Sequence, residues 1–170
     1  LLVGDRGIRG VVLRWDGKRQ EPRQLPDGTV VCPAGVSLQR LCRFAQQRGL
    51  TGLEFAYGIP GSVGGALFMN AGAYGGEMAQ VVLGATALTP TGERRDYTSA
   101  ALRLAYRHSV FAEQPTAQRE LIAAVQFRLT AGDPEEIAAR MKDLMVRRRE
   151  KQPLEYPSAG SFFKRPEGYF

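Results

Sequence analysis

At 170 residues, with 44% hydrophobic content, the chain can bury one proper core, as a single domain or a domain with part of another. No apolar run is long enough to span a bilayer, so no membrane association is expected. The net charge of +6 would suit any polyanion, but the basic residues concentrate in Arg140 to Lys151 without interleaved aromatics. That run reads as a solvated helix end rather than a nucleic-acid surface.

Two cysteines, Cys32 and Cys42, lack metal-ligand and redox spacing and read as reduced core thiols of a cytosolic protein. The lone His108 argues against a zinc site, and no metal is expected. Leu1 to Val3 lacks the charged and apolar regions of a signal peptide. The chain opens without Met and stops soon after a turn signal, Pro166-Glu167-Gly168, so we expect a piece of a larger protein.

In chain order, Val11 to Leu13 is apolar and β-branched before the Asp16-Gly17 turn, and predicts a strand. Thr29 to Cys32 predicts the next. Ser37 can cap a helix with apolar positions at Leu38, Leu41, Cys42 and Ala45, ended by Gly49. Gly65 to Met69 predicts a short buried element. Val81 to Leu88 and Glu93 to Tyr97 flank Pro90-Thr91-Gly92 as a hairpin, and Leu121 to Leu129 predicts a further strand.

Asp133, with Pro134 behind it and Glu136 completing a capping box, opens a last helix. Ile137, Met141, Leu144 and Met145 form its inner stripe, and Glu136 with Arg140 forms an i,i+4 pair. Pro153 and Pro157 then mark a linker and a domain boundary. The class is α+β.

The most informative stretch is Gly52 to Gly76, in which eight of 25 residues are glycine and the rest are mostly apolar. Such a segment can be buried with its backbone open to a ligand. Free N–H groups in its turns would make a home for phosphate, so a nucleotide is one reading. Tight turns and close packing between elements are the other. The spacing fits neither the dinucleotide fingerprint nor the P-loop.

Ser161 has no nucleophile elbow around it and no histidine nearby, which excludes a hydrolase triad; by itself it reads as a turn residue. Arg107 by itself reads as a surface or capping arginine.

Four stretches in this order resemble the UDP-N-acetylenolpyruvoylglucosamine reductases, flavoenzymes of bacterial peptidoglycan synthesis. They are LLVGDRGIRGVVL from Leu1, GIPGSVGGALFMNAGAYG from Gly58, YRHSVF from Tyr106 and PSAGSFFKRPEGYF from Pro157. The resemblance implies an FAD-binding domain of the PCMH/vanillyl-alcohol-oxidase type over residues 1–150, lacking its N-terminal part. Residues 151–170 would begin a substrate-binding domain.

FAD and NADPH are the implied cofactors, and a UDP-sugar is the implied small-molecule partner of a cytoplasmic monomer. The flavin segment would use Tyr57, Gly58, Ile59, Pro60, Gly61, Ser62, Gly64, Gly65, Asn70, Gly72 and Ala73. Arg107 would stabilise an enolate and Ser161 would donate a proton. Tyr74, Arg148, Lys151 and Arg165 would meet the substrate, although many relatives carry Asn at the position of Arg165.

No stretch matches the family's C-terminal glutamate or its upstream flavin loop, so slow or absent turnover is expected of this chain alone. The absence of a long insertion between Tyr106 and Ser161 suggests the family's shorter-looped subtype. Another FAD-dependent oxidoreductase of the same fold and a non-catalytic basic nucleotide- or nucleic-acid-binding module stay open as alternatives.

Overall fold

A computed structural model describes residues 3–152 and 154–156. Ser161 and Arg165, and with them most of the expected second domain, lie outside the described residues. Strands in chain order are β1 (Arg23–Gln24), β2 (Val30–Pro33), β3 (Leu50–Thr51), β4 (Gly72–Ala73), β5 (Gly76–Glu77), β6 (Val82–Leu88), β7 (Arg94–Thr98), β8 (Leu121–Phe127) and β9 (Thr130–Ala131). Helices are α1 (Leu38–Gln47), α2 (Val63–Phe68), α3 (Val110–Glu113) and α4 (Pro134–Lys151). The mixture is α+β, as the sequence predicts.

The main sheet has five strands in the order β1-β2-β8-β6-β7, and every pairing is antiparallel. Alternation sends Val30 and Cys32 of β2 into the core, opposite Phe127 and Val125 of β8. The β6–β8 register slips between Val82 and Gly84 and between Thr86 and Ala87, which lets Gly84 and Ala85 both face inward. The β6–β7 hairpin turns at Pro90 to Gly92, with Thr89 and Glu93 closing it.

Helix α1 follows its cap: Ser37 Oγ accepts from Arg40 N at 3.3 Å, and Leu38, Leu41, Cys42 and Ala45 form one buried face. The helix ends at Gln47, and Gly49 beyond it takes φ +63°. Helix α4 lies against α1, β3 and the 3₁₀ turn Glu54–Ala56, with Ile137 and Met141 buried and Leu144 and Met145 half-buried.

Three local expectations are corrected. Val11 to Leu13 is no strand: Val11 is 88% and Leu13 89% exposed, and a strand needs a neighbour to complete its ladder. The Asp133 cap bonds Glu135 N at 2.7 Å rather than the amide of Glu136. The i,i+4 ion pair on α4 joins Asp143 and Arg147, at 2.9 Å, not Glu136 and Arg140.

Candidate active site

The glycine-rich segment crosses the face of the domain between β3 and β6. It starts on a buried carboxylate: Glu54 accepts from Thr51 Oγ1 at 2.5 Å and from Gly52 N at 2.8 Å, fixing the turn that leads to Tyr57 and Gly58. Gly61 follows at φ +138° with open space around it, a conformation that side-chain-bearing residues rarely adopt. Ser62 caps α2, its Oγ accepting from Gly65 N at 3.3 Å.

The amides of residues 57–65 divide into two sets. Val63 N donates to Val36 O and Gly64 N to Ala34 O, at 2.8 and 2.9 Å, so the start of α2 is clamped onto the loop after β2. Gly65 N is taken by the Ser62 cap. The amides of Gly58, Gly61 and Ser62 have no hydrogen-bond partner among the described residues. These are the donors left for a ligand.

Residues 57–61 line a depression of about 320 Å³ together with Ser37, Gln39 and Met145. Arg148 reaches one of these residues, Gly58, from α4. Its Nη1 donates to Gly58 O, while its buried Nε is the one orphaned side-chain polar atom among the described residues. A buried N–H without an acceptor is costly, which marks this spot as short of a partner. Arg147 and Arg149, on either side, are exposed as expected of a solvated helix end.

After α2 the chain forms the β4–β5 hairpin, whose two turn residues Tyr74 and Gly75 sit at φ +54° and +81°. A second tight turn faces it. Ala105 and His108 exchange backbone bonds of 3.2 and 3.0 Å around Tyr106 and Arg107, and Arg107 takes φ +53°. Between them lies a cleft of about 330 Å³ lined by residues 72–77 with Asn70, Gln80, Tyr106 and Arg107.

Three of the four non-glycine residues with positive φ among those described, Asn70, Tyr74 and Arg107, line this one cleft. Residues in so sparsely populated a conformation cluster where geometry serves function. The Arg107 guanidinium lies 5.6 Å from the centre of the Tyr106 ring and makes no ion pair with a described residue. It is a permanent cation in the wall of the cleft, suited to a carboxylate.

Gly72, Ala73, Tyr74, Asn70 and Arg107 therefore meet in one cleft, and Tyr57 to Gly61 in the other depression, with Arg148 bonded to Gly58 O. Ser62, Gly64 and Gly65 sit at the start of α2 between these parts of the chain, and Lys151 closes α4 on an exposed face. Asn70 is not open to a ligand through its side chain: Nδ2 donates to Ala105 O at 3.1 Å and Oδ1 accepts from Ala79 N at 2.9 Å. Sequence reasoning missed Glu54 and Ser109. The only signal for Glu54 was an acid flanked by the apolar Leu53 and Phe55, and Ser109 gave none.

The FAD binding domain family matches residues 1–98. The chain belongs to that family. The donor set of this FAD binding domain fits such a cofactor: three open amides beside a glycine that leaves room, and an arginine N–H in need of an acceptor.

Over its whole length the chain is 46% identical to a UDP-N-acetylenolpyruvoylglucosamine reductase of Agathobacter rectalis, covering 56% of that protein. It is 47% identical to the one of Pediococcus pentosaceus, covering 55%. The crystal structure of UDP-N-acetylenolpyruvylglucosamine reductase from Thermus caldophilus aligns with a TM-score of 0.67 at 33% identity, covering 81% of this chain and 49% of that one. The chain thus spans about half the length of the curated relatives it matches.

Proposed function

We propose that this FAD binding domain serves a UDP-N-acetylenolpyruvoylglucosamine reductase that forms UDP-N-acetylmuramate in the cytoplasm, for peptidoglycan precursor synthesis. The observation that carries the reading is whole-length similarity to such reductases together with a cleft where Arg107 faces the glycine-rich hairpin. Bound FAD would supply the redox step, taking hydride from NADPH and passing it to the enolpyruvyl double bond.

The chain's own residues do the rest. The Gly58, Gly61 and Ser62 amides hold the cofactor, and Arg148, expected above to meet the substrate, is assigned to the cofactor instead because it bonds Gly58 O. Arg107 grips the enolpyruvyl carboxylate and stabilises the enolate charge that builds as hydride arrives. Tyr74, across the cleft, orients the sugar nucleotide, and Ser161 gives its proton to the carbanion so that the double bond is saturated. Lys151 and Arg165 meet the diphosphate, and the region from residue 151 onward begins a substrate domain of a monomeric enzyme.

The test is a titration of the purified chain with FAD, followed by the two half-reactions in the protein expressed from its intact reading frame. Flavin absorbance bound to the chain, and substrate-dependent reoxidation of NADPH-reduced flavin in the intact protein, are expected. Substrate reduction that survives Ser161→Ala would remove Ser161 from the mechanism. An intact protein that binds flavin yet leaves the enolpyruvyl compound untouched would point to another oxidoreductase of the same fold.

A further inference from the structure

We infer that Asn70 and Ser109 are positioning residues that hold the Arg107 turn in register with the flavin segment; the catalytic consequence rests on the function proposed above. Ser109 is wholly buried, and its Oγ donates to Phe68 O at 2.7 Å. Phe68 is the last residue of α2, so its carbonyl has no helical partner and needs one. Asn70, 2% exposed, reaches the turn from the same segment through Nδ2 to Ala105 O. That carbonyl also accepts from His108 N, the bond that closes the turn.

The two tethers attach two residues before and two residues after Arg107. One ends on the last residue of α2, Phe68, and the other on Asn70 just beyond it, which lines the cleft. Asn70 adds a third bond, accepting from Ala79 N behind the hairpin. One side chain thus joins the helix end, the hairpin and the Arg107 turn. The positive φ of Arg107 disfavours this turn in isolation, so the turn depends on what holds it. Neither tether needs to touch a reacting atom, because both polar ends of Asn70 and the Ser109 hydroxyl are already engaged.

Asn70→Asp is the informative variant. It keeps the acceptor for Ala79 N and turns the donor facing Ala105 O into a second acceptor. On this chain, hydrogen exchange at the Ala105 and His108 amides is expected to accelerate at least about tenfold, with β6 and β8 unchanged. Ser109→Ala should do the same more weakly.

In the intact flavoprotein, Asn70→Asp should slow reduction of UDP-N-acetylenolpyruvoylglucosamine about 100-fold, the scale of a small misplacement of a catalytic group. Flavin reduction by NADPH should change less than about threefold. In an Arg107→Ala background the same change should cost less than about twofold more, since nothing is left to position.

Unchanged exchange at Ala105 and His108 overturns the tether. Equal slowing of both half-reactions, or an undiminished effect without Arg107, overturns the positioning role in favour of a general structural one. A wild-type protein inert toward the enolpyruvyl compound removes the functional reading instead, and the exchange result then decides the tether alone.

Discussion

Arg148 and Gly58, 90 residues apart in sequence, form one contact: Nη1 of the arginine donates to the glycine carbonyl. A Cβ on residue 58 would come within 2.9 Å of Arg148 Cδ. The C-terminal turn of α4 therefore sits on the glycine-rich segment and leaves no room there for a side chain. Gly58→Ala should push Arg148 off, costing about 1–3 kcal/mol of stability through overpacking. FAD affinity, followed by quenching of flavin fluorescence, should weaken about tenfold, since a lost hydrogen bond to a charged group is worth about 1.5–3 kcal/mol. Unchanged affinity in Gly58→Ala and in Arg148→Ala would separate this contact from cofactor binding.

Gly65 allows stability and binding to be set against each other. It lies exposed in the first turn of α2, where an added Cβ meets only Ser62 Oγ at 3.4 Å. Gly65→Ala should stabilise the chain by up to about 1 kcal/mol through helix propensity. If the cofactor approaches that helix end closely, FAD affinity should fall in the same variant. Thermal unfolding with and without FAD reads both, and a gain in both would place the cofactor elsewhere.

Glu54 holds the entry to the same segment. Glu54→Leu leaves the Gly52 amide without its acceptor in a buried place, for a loss of about 1–3 kcal/mol. Glu54→Gln should lose less than half as much. One oxygen still serves Gly52, and the Thr51 hydroxyl can turn to accept from the new amide. Urea denaturation compares the two, and equal losses would mean that charge, not hydrogen bonding, matters at this site.

Burial pushes the Cys32 thiol up to about 12 and raises the Cys42 thiol further. Both should resist alkylation in the folded chain at pH 8 and react once it is unfolded, because the thiolate is the nucleophile. The sign for stability follows. The folded pKa exceeds the ordinary thiol value near 9, so the contribution is whole below pH 9 and is lost as pH climbs from 9 toward 12. A urea midpoint that stays flat or rises over that range would contradict it.

Much of the scaffold was legible because it is local. Ser37 before a helical stripe, Pro90 to Gly92 between two strands and Asp133-Pro134 before α4 each announce an element within a few residues, and each element is present. The misread pieces needed partners. Val11 to Leu13 has strand-forming residues but pairs with no described strand, and the i,i+4 ion pair of α4 joins Asp143 and Arg147 rather than the equally spaced Glu136 and Arg140.

The residue types at the site were likewise present in the sequence: the glycines, Arg107, Tyr74 and Arg148. Their grouping was not. Which amides stay open depends on the loop after β2 capturing Val63 and Gly64. Which arginine of Arg147, Arg148 and Arg149 turns inward depends on how α4 meets Gly58. That Asn70 and Ser109 grip the Arg107 turn depends on β4 and β5 folding back beside it. Composition and spacing determined the local elements, because caps, turns and periodicity act over a few residues, and the family was legible only through the resemblance of four whole motifs. The cleft was decided by tertiary structure, because hydrogen bonds spanning 35, 41 and 90 residues close only when the whole core has formed.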